Sequence, residues 1–358
     1  MKRGACGAWR RWSGLAAALA AAAAVAQAPA NDRQKGSSMQ TFGEVVNASR
    51  GAAGAPDVLA GALKALVAGS ALPPLAFRLG EETQTAFLAR AQRTYTNRPA
   101  AAGTRVHEIA YADPQTQVTC RLALTAFQDF PVLEWVATFA NDGTAPAPVL
   151  AEVAALDLAW RCDGDAFVFR SPGAIETPRD FQFQREPLQT IRQRRASLAM
   201  TAGREGRSSV DWLPFLNLQS GSDGLIVALG WTGQWFLRVE RNGQEARLAA
   251  GMDGLRLALP PGEAIRTPRV LLVPWRGQPM DGQNLLRRFM LRYHTPQIGG
   301  QPVPIPACYI AWGGAPTPVH RRQIDLIQEK GLPYDCYWID AGWYGTSDRP
   351  CPNVFQGE

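Results

Sequence analysis

The chain has 358 residues, 46% hydrophobic and 19% charged, so it can bury a large core, and the disordered and collagen-like classes are excluded. Its 34 glycines and 27 prolines favour many turns joining short strands over a helical bundle. The net charge of +6 drops to +2 without residues 1–30, where Lys2, Arg3, Arg10 and Arg11 meet no acid. No basic block remains for a phosphate stripe, which excludes nucleic acid as a partner.

The first segment reads as a cleaved export signal over 1–28. Basic residues precede an apolar run from Leu15 to Ala26, and Ala26-Gln27-Ala28 and Ala28-Pro29-Ala30 fit peptidase sites. That run is shorter than the ~20 residues a membrane span needs, and no later segment qualifies. The chain is therefore expected to be exported, periplasmic or extracellular, with no membrane anchor. Arg10-Arg11 leaves the choice between general and twin-arginine export open, although Trp12-Ser13-Gly14 fits the latter poorly. Residues 29–40 are polar and read as a flexible leader.

From 41 to 280 the punctuation is that of a large antiparallel β domain. Val132 to Phe139 is rich in strand formers and stops at Asn141-Asp142-Gly143. Phe167 to Phe169 follows Asp163-Gly164, and Leu225 to Leu229 is a continuous apolar run suited to a strand buried on both faces. Trp235 to Glu240 enters a hairpin at Asn242-Gly243 and Arg247 to Ala250 returns from it. Leu255 to Leu259 alternates up to Pro260-Pro261-Gly262, and Val270 to Val273 is the last strand. So many strands predict a two-sheet sandwich. Cys120 and Cys162 could bridge two of these strands, but an odd number of cysteines after the signal argues against a disulfide scaffold. His107, His294 and His320 are scattered and no CxxC occurs, so neither a metal nor a cofactor is expected.

The period then changes. Leu285, Leu286, Phe289, Met290 and Tyr293 share one helical face, starting near Asp281 and ending before Pro296, and 281–300 reads as a linking helix and linker closed by Gly299-Gly300-Gln301-Pro302. Over 301–358 the order is strand, helix, strand. Ala307 to Ala311 is the first strand. Thr317 is expected to cap a helix with Pro318 at its first turn, Gly331 to close it, and Ile324 and Ile327 to lie on its buried side. Cys336 to Ile339 is the second strand, and it delivers Asp340 to its C-terminal end. Such a βαβ unit begins a doubly wound sheet or a (β/α)8 barrel.

A carboxylate at the end of a parallel strand stands where barrel enzymes keep their sites. Asp340 can accept hydrogen bonds from sugar hydroxyls, and Trp312 and Trp343 can offer flat faces to a sugar ring. The alternative is that Trp312, Trp338 and Trp343 are core aromatics and Asp340 caps a loop.

The stretch Ile339-Asp340-Ala341-Gly342-Trp343-Tyr344-Gly345 resembles glycoside hydrolase family 36, the bacterial α-galactosidases and their relatives. Pro214-Phe215-Leu216-Asn217-Leu218-Gln219, followed by Leu225 to Trp235, resembles the late part of that family's N-terminal supersandwich, and Leu286 to Pro296 its linking helix. The resemblance implies an all-β supersandwich followed by the start of a (β/α)8 TIM barrel, truncated after the second barrel strand. It implies a retaining mechanism on terminal α-linked galactose, with an α-galactoside oligosaccharide or glycoconjugate as partner. It makes Trp312, Asp340 and Trp343 substrate-binding residues and places no catalytic residue in this chain, because the nucleophile and the acid/base belong to later barrel strands. Many relatives carry a second acid where this chain has Ala341, which leaves another α-linked sugar such as α-N-acetylgalactosaminide open. The alternative of a different class is a non-catalytic carbohydrate-binding or assembly module. Homo-oligomerisation is left open.

Overall fold

A computed structural model describes residues 39–52, 58–100, 103–174, 177–188, 195–203, 207–311, 313 and 315–341. The signal expected over 1–28 and nearly all of the leader lie outside the described residues. Two compact units divide between Leu286 and Arg287.

The first unit opens with helices where the sequence reading expected only strands. β1 (Gln40–Thr41) and β2 (Ala71–Leu72) pair in parallel around α1 (Phe42–Ala52) and α2 (Val58–Ala68). The start of α1 is set by a reciprocal capping box. The Thr41 N–H donates to Glu44 Oε2 at 2.6 Å and the Glu44 N–H donates to Thr41 Oγ1 at 3.2 Å. The hairpin of β3 (Ala76–Leu79) and β4 (Glu82–Thr83) then leads into α3 (Gln84–Arg90).

A meander follows, β5 (Gln92–Pro99), β6 (Thr104–Ala112), β7 (Val118–Phe127) and β8 (Leu133–Asn141), each antiparallel to the next. β9 (Leu150–Arg161) enters a second sheet, β10 (Ala166–Arg170) and β11 (Gln184–Pro187) return to the first, and β12 (Arg195–Thr201) joins the second. Two hairpins come next, β13 (Phe215–Ser220) with β14 (Asp223–Gly230) and β15 (Trp235–Asn242) with β16 (Glu245–Met252). The second turns at Gly243, whose φ of 61° explains the glycine after Asn242. The stretch Leu255 to Leu259 contributes only the two-residue β17 (Arg256–Leu257), and β18 (Ala264–Arg266) precedes β19 (Arg269–Arg276).

The outcome is a ten-stranded sheet of order β11-β10-β13-β14-β19-β8-β7-β6-β5 with β18 beside β8. The other sheet is seven-stranded, of order β12-β15-β16-β9-β3-β4 with β17 beside β9. Both feed one core, in which Leu122, Leu124, Trp135 and Phe139 of the first sheet join Leu156, Leu158, Leu237 and Leu248 of the second. This is the expected sandwich, and α1, α2 and α3 correct the expectation that it is all β. The Cys120–Cys162 pairing that the sequence left open is not formed: both are free, buried thiols, and burial pushes Cys120 up to about 12.

One irregularity joins the two sheets. Along β9 the pairing to β16 passes from Leu156 to Ala154, so Ala155 opposes no residue. A bulge frees a carbonyl from its ladder, and Ala155 O accepts the buried Trp135 indole N–H at 2.9 Å. Gly251 is needed opposite the bulge, since a Cβ there would lie 2.1 Å from Val153 O. The far end of β9 has no strand on its β3 side, because β3 pairs only with Leu150 to Ala154. There α1 closes the edge: Asn47 Nδ2 donates to Ala159 O at 3.0 Å, and Asn47 Oδ1 accepts the Arg161 N–H at 2.9 Å. Gly43 allows this approach, for its Cβ would meet Ala159 O at 2.7 Å.

The α3 helix is tied down by charge. Arg90 donates to both oxygens of the buried Asp113 at 2.9 Å and also pairs with Glu82. Burial pushes the Asp113 carboxyl up. Its bonds from Arg90, Thr116 and the Gln115 N–H outweigh that and hold it at about 2.

Trp135→Phe should cost the sandwich about 2 kcal/mol, since it leaves the Ala155 carbonyl unpaired and opens space. Gly251→Ala should cost about 1–3 kcal/mol through overpacking. Urea unfolding midpoints equal to that of the parent chain would refute both. The Asp113 carboxyl lies below its unfolded value, so its stabilisation is complete above about pH 4 and is lost as pH falls towards about pH 2. The parent chain should therefore lose about 2 kcal/mol across that window that Asp113→Asn does not lose. Parallel stability–pH curves for the two proteins would contradict this.

Candidate functional site

The second unit continues α4 (Pro279–Tyr293), two residues longer at its start than expected from Asp281. The linker is a small hairpin of β20 (Gln297–Ile298) and β21 (Gln301–Pro302), turned by Gly299 and Gly300 at φ of 60° and 79°. Then come β22 (Cys308–Ala311), α5 (Thr317–Glu329) and β23 (Cys336–Ile339), the two strands lying parallel with Cys308 opposite Cys336 and Ala311 opposite Ile339. Pro316, not Thr317, is the N-cap of α5, and no side chain caps the helix. A φ of 59° at Gly331 ends the helix region as expected. Ile324 is exposed, which corrects its expected burial.

Alternation gives this pair of strands two faces. On one, Tyr309 and Tyr337 stack with ring centroids 5.4 Å apart, and the Tyr337 hydroxyl hydrogen-bonds His320 Nδ1 of α5 at 2.8 Å. The same hydroxyl donates to Gln323. Cys308, Ile310, Cys336 and Trp338 belong to the other face, and Asp340 follows them in register. That face is open: Ile310 is 66% and Trp338 59% exposed. The alternative of Trp338 as a core aromatic does not hold in this unit.

Asp340 sits where the sequence placed it, directly after β23. Its N–H donates to Ala311 O at 2.9 Å, which extends the ladder by one residue, and its Oδ1 accepts the Ala341 N–H at 2.7 Å. The carboxylate is exposed and can accept further hydrogen bonds. Trp312 and Trp343, predicted with it, lie outside the described residues. No described carboxylate of this unit joins Asp340. Asp335 Oδ2 accepts the Ala307 N–H at 2.8 Å at the opposite strand end, and Glu329 pairs with Arg322 at 2.8 Å on α5. Among the described residues no group of His, Cys, Asp and Glu could hold a metal ion.

The sandwich carries a groove of about 630 Å³ over β9, β15 and β16. It was not foreseen from the sequence. Its one aromatic ring, Phe236, is covered by the Arg238 guanidinium 4.6 Å away, and Arg247 is held by Asp157 through two bonds of 2.7 Å. One face of the ring is thus taken by the guanidinium.

Residues 23–259 match the family model described as the glycosyl hydrolase family 36 N-terminal domain. Among solved structures the fold is similar to that of the GH36 α-galactosidase AgaB from Geobacillus stearothermophilus, at 20% identity and a TM-score of 0.59, over 76% of this chain and 40% of that one. It is also similar to the α-galactosidase from Lactobacillus brevis, at 15% identity and a TM-score of 0.58, over 77% of this chain and 39% of that one. A variant of AgaA from Geobacillus stearothermophilus in complex with stachyose matches at 21% identity and a TM-score of 0.58, over 77% of this chain and 40% of that one. The chain thus spans about 40% of the length of the solved structures it matches. No curated protein matches it.

With its apolar face open, the second unit should be digested before the sandwich. Under limited trypsin treatment, peptides from beyond Gly300 should appear roughly tenfold faster than peptides from the sandwich. Equal resistance on both sides of Gly300 would show that the open face does not weaken the unit.

Proposed function

The chain belongs to glycosyl hydrolase family 36, and from that premise we propose that it is the N-terminal part of an exported α-galactosidase-like hydrolase. The reaction is removal of terminal α-linked galactose with retention of configuration. The observation that carries the reading is Asp340, an exposed carboxylate at the C-terminal end of a parallel strand that follows the family's sandwich. The β22–α5–β23 unit supplies the first two strands of a (β/α)8 barrel, whose mouth is formed by the C-terminal strand ends. The basic and apolar character of residues 1–28 supports export.

In this reading Asp340 accepts hydrogen bonds from galactose hydroxyls while Trp312 and Trp343 line the sugar's apolar side. Retention needs two carboxyl groups about 5–5.5 Å apart, one attacking the anomeric carbon and one protonating the leaving oxygen and then activating water. Asp335 and Glu329 are engaged away from Asp340, and the family resemblance implies that this pair belongs to later barrel strands. Variants of AgaA from Geobacillus stearothermophilus have been solved in complex with stachyose and with raffinose, which supports galactose-terminated oligosaccharides as substrates. Ala341 puts a methyl group beside Asp340 where many relatives have an acid. This leaves open a second reading, hydrolysis of α-N-acetylgalactosaminides.

The purified 358-residue chain should not hydrolyse an aryl α-galactoside above a vector control, and turnover above it would overturn the assignment of the missing carboxylates. The product of the complete reading frame, expressed from source DNA, should hydrolyse that substrate and release α-galactose first by NMR. Faster hydrolysis of the aryl α-N-acetylgalactosaminide would move the assignment to the second reading. Release of β-galactose, or no hydrolysis of either, would sink both.

A further inference from the structure

Cys308 and Cys336 differ from the other described cysteines. Cys120 and Cys162 are buried singly in the sandwich, whereas these two are half-exposed and face one another. They are Cα partners across the β22–β23 ladder, and their sulfurs lie 2.7 Å apart. Adjacent strands run about 4.7–4.9 Å apart, inside the about 4.4–6.8 Å that disulfides span between Cα atoms. A backbone bond and a side-chain bond clamp the pair in place. The Asp335 N–H donates to Ala307 O at 2.8 Å, and the Ala307 N–H donates to Asp335 Oδ2 at 2.8 Å. Forming a bond between the sulfurs thus requires little movement, and a small oxidant can reach them.

We propose that Cys308 and Cys336 form a reversible disulfide that staples the first two parallel strands, made by exchange with a low-molecular-weight disulfide. The inference concerns the 358-residue chain, in which both thiols are half-exposed, and its test does not depend on the hydrolase reading. The hydrogen bond with Cys308 holds the Cys336 thiol above the ordinary cysteine range; the thiolate is the nucleophile, and either member of the pair can supply it. When Cys308 attacks first, it loses its proton and its thiolate attacks one sulfur of oxidised glutathione, expelling one glutathione thiolate. Cys336 then loses its proton and attacks the Cys308 sulfur of the mixed disulfide, expelling the second. The two protein thiols give up two electrons and two protons, and oxidised glutathione takes them up as two molecules of glutathione.

The test incubates the full chain with oxidised glutathione, blocks free thiols with iodoacetamide under non-denaturing conditions, and maps tryptic peptides by tandem mass spectrometry, whose fragments separate Cys336 from Cys351 on their shared peptide. The expected result is one linked pair joining the Cys308 and Cys336 peptides, absent after dithiothreitol. The Cys336→Ser variant should instead hold glutathione on Cys308. Cleavage beyond Gly300 by trypsin should slow at least roughly fivefold on oxidation of the parent chain. Alkylation of both cysteines, persistent glutathione on either one in the parent chain, or pairing of either with a different cysteine would overturn the proposal. A linked pair without slower cleavage would overturn its role as a staple.

Discussion

The bond from the Trp135 indole to the Ala155 carbonyl fixes how the two sheets meet. A flat, fully paired β9 would spend that carbonyl on β16, and the largest side chain of β8 would bury an N–H with no partner. The bulge resolves both needs, and it propagates. It requires glycine at 251 on the neighbouring strand. β9 is also left without a strand partner on one side of its upper half, which is why a helix, rather than another strand, lies along that edge and reaches it through Asn47.

A similar device seats the start of α4 on the sandwich. Trp275 donates to Asn217 Oδ1 at 2.8 Å, and its ring fills the space that a Cβ on Gly224 or Gly282 would need. Pro274, just before it, lacks an N–H, yet this is tolerated in a central strand because β8 pairs β19 only as far as Leu272. Asn217 and Trp235 belong to the segments that carry the family resemblance. Trp235 is buried with its indole donating to Ser208 O at 2.8 Å. Those residues are therefore packing devices, and family membership read from them speaks to architecture. Chemistry has to be argued from the second unit.

What was legible in the sequence was whatever turn chemistry or a switch of period announced. The Gly243 hairpin, the buried run of β14, the face of α4 and the β22–α5–β23 order all have such local signals. The helices α1 and α2 were missed for different reasons. Thr41-Phe42-Gly43-Glu44 is a capping-box signature that stood unused. α2 is so rich in alanine, valine and leucine that no polar face marks its period. The exposure of Ile324 was illegible because a helix's apolar stripe shows which side is meant for burial, not whether a covering layer is present. The groove over β9, β15 and β16 is lined by residues distant in sequence, which no local pattern brings together. Asp340 was legible because a strand end followed by Ala341-Gly342 needs no long-range contact to be placed.

The open face of the second unit runs from sulfur through apolar side chains to charge. Cys308 and Cys336 lie at the first residues of the strands, Ile310 and Trp338 in the middle, and Asp340 just past the end. That gradient suits a barrel interior, whose middle layers are packed by apolar side chains and whose carboxylates belong at the mouth. A lone carboxylate there can hold a hydroxyl but cannot both attack an anomeric carbon and protonate a leaving oxygen. Two carboxyl groups on adjacent strands of a single pair would repel and shift each other's ionisation. A retaining glycosidase needs them on opposite sides of the scissile bond, at a separation set by several strands converging on one axis. Two strands define a plane and not an axis. In the hydrolase reading proposed above, the chemistry is therefore a property of a closed barrel, and Asp340 is the part of it that two strands can place.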